Sequence, residues 1–434
     1  MLSLDPFSLD RTIAETARLH SRFIEALRAG HGEEHAFELL PPALSRAALS
    51  ELSAHAAGDP FAAAAAGWLR HLLLEHGAIE ARLGVALAYR QVRHPLDAPE
   101  RGQWTVAEVV ANLLSDGARR AGWASALSVG EDFGARRLAL LEALAAHRHE
   151  LGLELAPPLR DAPDAALEFL RATRDAAREL RLASLGDLVD RGLGRDVPGA
   201  WPSPLSARKL GDWFREGRLL HGLTPQLASL PRAHGAASAL RALAAFGVAF
   251  HDAGPSTRLP FVVARDPSGL RKQTFGALFA LLPLHAAFAE RRLEIGRGRF
   301  VDYRRALATV VLLGARLIAL RARLTRASSE GAAAYRRCFR EEVPDALGFE
   351  LSPRLAGTLF TDEHGERQLV ALLAAARRDQ LLTERHDEDW FRNPRAIEEL
   401  RGEIESAPNL APELEPELVA RGSARLAQLS TSAL

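Results

Sequence analysis

Two short stretches set histidine and glutamate at metal-binding intervals. "HGEEH" (residues 31–35) fits the H-x-x-E-H pattern of inverted zinc peptidases. That chemistry needs two histidines one helical turn apart and a glutamate reaching a metal-bound water. Gly30 and Gly32 bracket His31, and two glycines favour a loop or a solvated helix start over a helix interior. "HLLLEH" (71–76) sets His71 and Glu75 four residues apart, the interval of a metal pair, although a surface edge of an amphipathic helix is the plainer expectation. His147 and His149 flank Arg148; alternate positions diverge by about 200° on a helix and share no ligand there. Cys338, the only cysteine, lies in "YRRCFREE", where arginines would lower a thiol pKa. No partner base accompanies it, so a structural cysteine is expected. The chain has no G-x-S-x-G elbow, no phosphate-cradling glycine loop and no dinucleotide fingerprint.

The remaining candidates cluster around "TFGALFALLPLHAAFAERRL" (274–293), which is apolar almost all round a helix. A helix of that kind is buried on both faces. Pro283 lacks the N–H that would bond the carbonyl of Phe279, so a kink is expected there, and the freed carbonyl needs another partner. His285 follows the kink. Lys272, His285 and Tyr303 are the polar groups nearest this segment and the candidate ligand-binding residues.

The elements that must position them are helical. The composition is rich in Ala, Leu and Arg and poor in aromatics, with β-branched residues confined to a few spots. Residues 8–150 read as successive amphipathic helices, with Asp10 as N-cap of the first. Helices stop at "LAPPLRDAPD" (155–164) and "DVPGAWPSPLS" (196–206). The one strand signal is "RLPFVVARD" (258–266). A helix pair spans about 365–405, followed by a tail that is Pro-rich, then weakly helical, and expected to fray. The expected organisation is an N-terminal helical region (1–155), a helical core (156–405) and the tail (406–434).

The 55 basic and 55 acidic residues cancel, so nucleic acid is not an expected partner. The charge is nevertheless uneven. Residues 261–340 hold sixteen basic and five acidic residues, whereas 341–434 hold ten basic and nineteen acidic. Two such blocks attract each other within the fold, or the basic one faces an anionic ligand. The N-terminus has no signal-peptide pattern, and the most apolar run (306–320) is shorter than the ~20 residues of a membrane span and contains Arg316. A cytoplasmic setting without a membrane partner is the expectation.

The order of elements resembles the M3-like oligoendopeptidases, the thimet-oligopeptidase-type zincins, over about residues 160–405. "HDEDWFRNPRAIEELR" is similar to the family's end region "GEDWW–NP–AG–FLR", and "ALFALLPLHAAFA" has the length and flanks of the family segment "ALxHExGHAxHFA". The resemblance implies a mainly α, zincin-like array with a small β element near 258–266 and two helical halves around a peptide channel. Carried over residue by residue, the first zinc histidine falls on Ala280, the catalytic glutamate on Leu281 and the second histidine on Leu284. His285 lies one residue further, about 100° round the helix, and replaces no ligand. The third ligand would fall near "VDYRRALA", which has no glutamate, and no tyrosine follows Tyr335.

Zinc hydrolysis needs three protein ligands and a general base. The resemblance therefore implies a catalytically inactive relative, without metal or cofactor, that binds a peptide, a protein partner or an anionic ligand. Its rivals are an enzyme with a relocated, non-zinc site built from Lys272, His285 and Tyr303, an active peptidase in a different alignment, and a purely helical scaffold.

Overall fold

The computed structural model describes residues 5–29, 40–93, 120–153, 157–183, 187–188, 236–254, 258–353, 356, 365–406 and 416–431. Over these residues the protein is helical, and no strand occurs among them. The N-terminal helices are α1 (Pro6–Ala29), α2 (Arg46–His55), α3 (Pro60–Gly77), α4 (Ile79–Arg93) and α5 (Arg120–Glu150). α6 (Pro157–Ala172) and α7 (Arg174–Glu179) follow, then α8 (Ala236–Ala253), α9 (Phe261–Ala264) and α10 (Leu270–Leu281). The C-terminal part holds α11 (Ala286–Arg292), α12 (Arg297–Ser328), α13 (Ala332–Leu347), α14 (Gly365–His386), α15 (Pro394–Ser406) and α16 (Pro416–Thr431). "HGEEH" and the 196–206 break lie outside the described residues.

The expected strand at 258–266 is not formed. Phe261–Ala264 make a short helix instead, with Pro260 at its N-cap. The cause is a long-range cap: the Asp10 carboxylate accepts the N–H groups of Phe261 (3.0 Å) and Val262 (2.9 Å). Asp10 thus caps α9 rather than its own helix, and this tertiary contact overrides the β preference of the Val pair. Val262 joins a hydrophobic cluster with α1, α2 and α3, while most other buried residues form one larger core.

α10 runs through that larger core. Gly247 of α8 faces it so closely that a Cβ there would stand 2.3 Å from the carbonyl oxygen of Phe275. At Gly276 the matching distance, to the carbonyl oxygen of Ala244, is 3.1 Å. The two glycines let the helix backbones touch, a contact that no side chain permits. Pro283 ends α10 outright: Leu282–Leu284 form a 3-10 turn, and His285 is extended (φ −77°, ψ 132°) before α11 begins. The Phe279 carbonyl is satisfied by the N–H of Leu282, and that of Pro283 accepts the Tyr303 hydroxyl at 2.8 Å.

Two charged residues in the core act as helix cement. Arg316 is 1% exposed, yet its guanidinium donates to the carbonyls of Leu170 (2.8 Å) and Ala346 (2.9 Å) and to the Thr173 hydroxyl (2.6 Å). It therefore occupies orphan carbonyls at the C-terminal ends of both α6 and α13, where a cation also suits the helix dipole. A lysine has one ammonium and cannot span these acceptors. Arg316→Lys is expected to lower stability by about 2 kcal/mol, from acceptors left unpaired, as read by urea denaturation at unchanged slope.

The second is Asp379, discussed below with His285. The expected weakly helical part of the tail forms α16, which does not fray: its Leu426 and Leu429 are buried. Gly422 seats α16 on α14, with space for no Cβ: one would lie 2.3 Å from the Leu373 carbonyl oxygen.

Part of the charge asymmetry is met inside the fold. Arg291 pairs with Asp389, Arg323 with Glu342 and Arg271 with Glu403, each pair joining the basic block to the acidic one.

Candidate functional site

Three of the sequence candidates separate. Lys272 is exposed near the start of α10, whereas His285 and Tyr303 lie in the core beyond its other end, 4% and 1% exposed. His285 is held by a partner in the core. Its Nε2 is 2.6 Å from Oδ1 of Asp379, which is wholly buried. The Asp379 carboxylate also accepts from Arg425 Nη2 (2.9 Å) and Trp390 Nε1 (3.4 Å). Burial opposes ionisation of Asp379, but the His285 hydrogen bond, its charge and the Arg425 guanidinium outweigh it and hold the carboxyl below its ordinary pKa. This buried group joins the break after α10 to α14 and α16. Neither His285 nor Asp379 lines the cavities described below, and the group reads as structure.

The perturbed groups that do face a cavity lie elsewhere. A cavity of about 340 Å³ is bounded by α3, the end of α5, the start of α6, the loop after α9 and the start of α14. Its lining includes Arg70 and His71 of α3, Arg148 of α5, Arg367 of α14, the Pro267–Ser268 turn, and a wall of Leu74, Leu153 and Leu159. Among the described residues, no carboxylate lines it.

Local structure explains how the arginines meet. α3 starts on Asp59, whose carboxylate accepts the Phe61 N–H at 2.8 Å, with Pro60 in the first helical position. α5 ends in a Schellman motif: Gly152 (φ 63°) donates to the His149 carbonyl, and Leu153 to that of Arg148. Arg148 thus sits in the last turn of α5, where a cation is favoured. Arg367 sits in the first turn of α14, where it is not. Among the described residues, its Nη1 reaches only the Ser268 carbonyl, at 3.4 Å. Arg70 donates to Ser53 Oγ at 3.0 Å. None of the three forms an ion pair within 4 Å among the described residues.

The electrostatics record the crowding. Burial lowers the pKa of Arg148, as do the charges of Arg367 and Arg326, while Glu366 opposes them. Glu366 is 8% exposed; burial pushes its carboxyl up to about 7 despite Arg148, Arg326 and Arg367. The His71 imidazole is driven down to about 3, first by burial and further by His20, Arg367 and Arg82, so it is neutral at physiological pH. A neutral imidazole between guanidinium groups offers a hydrogen bond without adding charge.

The "HLLLEH" stretch therefore departs from the expected surface edge. Glu75 is 6% exposed and bonded to Arg82 at 2.5 Å, with His20 Nε2 at 3.4 Å. Burial opposes its ionisation, but Arg82 and His20 hold the carboxyl well below its ordinary range. Glu75 is committed to these partners and makes no metal pair with His71. Among the described residues, no group of three or more His, Cys, Asp or Glu is placed to hold a metal ion. Cys338 is buried enough that its thiol is pushed up to about 12, with Glu342 adding to the effect against Arg323, which removes it as a nucleophile. No described helix is long and apolar enough to cross a membrane.

Glu366 carries a stability prediction. Its carboxyl titrates near 7 when folded and near 4.5 when unfolded, so the folded state binds the extra proton. The folded state is favoured below the unfolded value, and that advantage is lost as pH rises through 7. At about 1.4 kcal/mol per pKa unit, Glu366→Gln is expected to stabilise the protein by about 2–3 kcal/mol at pH 8. The gain shrinks toward pH 5. A pH-independent difference between the two proteins in thermal melts would contradict this.

Sequence reasoning missed Arg70, Arg148 and Arg367, since nothing local marks three arginines 78 and 219 positions apart as neighbours. It also missed Asp379, for which a signal exists: the residue stands one helical turn from buried Ala375, Ala376 and Leu382. No family model matches this chain, and neither does a curated protein or a solved structure.

Proposed function

We propose that the protein binds a small oxyanion of the phosphate class in the cavity between α3, α5 and α14, without hydrolytic chemistry of its own. The observation that carries this reading is the set of three half-buried guanidinium groups, Arg70, Arg148 and Arg367, around one cavity with no carboxylate among the described residues of its lining. Guanidinium groups bind phosphate and carboxylate oxygens in pairs, and partial burial strengthens each contact. The leucine wall leaves room for an organic body on the anion, so a phosphorylated metabolite fits better than a bare ion. The volume suits a small molecule rather than a folded partner.

The absence of chemistry is part of the proposal. Ala280 and Leu281 close α10, and Leu284 belongs to the following 3-10 turn. These positions offer no ligand, and they do not lie on one continuous helix as a zinc helix requires. If the chain descends from an M3-like peptidase frame, what it has kept is a ligand cavity rather than a hydrolytic site. The basic 261–340 block contributes to that cavity through Pro267, Ser268 and the field of Arg326.

Isothermal titration with pyrophosphate at fixed ionic strength tests the reading. One saturable site is expected, with affinity falling as pH rises through 7, because ionised Glu366 then competes for the same arginines. Heat indistinguishable from a chloride blank at millimolar pyrophosphate would sink it.

A further inference from the structure

A second cavity, of about 400 Å³, lies across the 265–269 loop from the first and is assigned nothing by the reading above. Its sides come from α1, α3, α8, α9 and the start of α10. Three observations set its chemistry. Arg18, Arg22 and Lys272 line it, and none has a carboxylate within 4 Å among the described residues. The two acids in the lining are committed: Asp252 lies 3.2 Å from Arg265 and 3.3 Å from His251, and Asp266 accepts both the N–H and the hydroxyl of Ser268. The cavity therefore presents a surplus of positive charge to whatever enters it.

The second observation is its wall. Trp68 and Phe261 stand with ring centroids 4.9 Å apart, and the indole N–H is already used on the Arg265 carbonyl at 2.9 Å. The rings thus offer apolar area rather than a hydrogen bond. The third is His251, also in the lining, 2% exposed and with Nε2 buried and without a hydrogen-bond partner among the described residues. An unpaired buried polar atom is destabilising until something bonds to it. A ligand that displaced the surrounding side chains slightly would supply that bond.

Cations, two tilted aromatic rings and a buried imidazole nitrogen call for one class of ligand. We infer that this cavity is a second binding site, for an aromatic anion whose ring lies against Trp68 and Phe261 and whose carboxylate or sulfonate meets Arg18, Arg22 and Lys272. The aromatic wall distinguishes it from the first cavity, which has leucines in the same role. The two sites share the 265–269 loop and α3 as walls but have no lining residue in common.

Naphthalene-2-sulfonate serves as the probe, with sodium sulfate as the ring-less control and the full-length protein as the host. Titration into an Arg148→Glu/Arg367→Glu variant removes the first cavity from the readout. The expected result is one saturable site, at least tenfold tighter than sulfate and weakened at least tenfold by Arg22→Glu/Lys272→Glu. These two positions are exposed, so folding is checked simply by an unchanged melting curve. Binding untouched by Arg22→Glu/Lys272→Glu, or equal affinity for sulfate and naphthalene sulfonate, overturns the inference. A probe site that vanishes in the Arg148→Glu/Arg367→Glu variant also overturns it, since the probe would then report the first cavity only.

Discussion

Asp379→Ala is expected to destabilise the protein by about 3–5 kcal/mol, the range for breaking a buried charged group away from its partners. The reason lies in what the substitution leaves behind. Asp379 is 0% exposed and collects His285, Trp390 and Arg425 from three separate segments. Alanine strands an imidazole N–H, an indole N–H and a largely buried guanidinium at once. The loss is felt in two places, at the turn after α10 and at the seat of α16 on α14. Arg425→Met removes only the outermost of these partners and is expected to cost less. Because the Asp379 carboxyl is held below its ordinary pKa, its contribution is present above the usual carboxylate range and is lost as pH falls through the lowered value. The wild-type protein should therefore approach Asp379→Ala in stability under strong acid. A urea-denaturation difference under about 1 kcal/mol at pH 7 would mean that the cluster is incidental, by comparison with ordinary single substitutions.

The second large effect is on binding. Arg148→Glu is expected to weaken the affinity for pyrophosphate by about a hundredfold or more. Each charge-assisted hydrogen bond to an oxyanion contributes roughly 1.5–3 kcal/mol, and reversal replaces attraction with repulsion at short range. A tenfold change in affinity corresponds to about 1.4 kcal/mol, so one lost contact plus one repulsion reaches two orders of magnitude. Arg148→Lys keeps the charge but loses the planar fork, and an intermediate loss follows. Lys272→Glu, on the far side of the 265–269 loop, should leave pyrophosphate binding nearly unchanged. Equal losses for Arg148→Glu and Lys272→Glu would point to a diffuse field rather than a site.

The helical character of the protein was legible in its composition and periodicity, and so was a disturbance at Pro283, although the expected kink is a full break. Where local reasoning failed, a long-range contact decided. The "PFVVA" stretch has strand preference, yet a carboxylate 251 positions away in sequence caps it as a helix. The tail after 406 has the proline content of a frayed end, yet Gly422 and Arg425 fasten it to α14. His71 and Glu75 were visible as a pair, but their burial was not, because the covering residues His20 and Arg82 belong to other helices. The arginine cavity is an extreme instance. Its members come from α3, α5 and α14, and only the assembled fold brings them to one place.

The most direct test of that cavity is anomalous diffraction from crystals of the protein grown with tungstate, a heavy tetrahedral oxyanion. Density between the guanidinium groups of Arg70, Arg148 and Arg367 is the expected result, and it should be absent from crystals of Arg148→Glu. Tungstate bound only at other surfaces, with this cavity filled by solvent in the wild-type protein, would contradict the account.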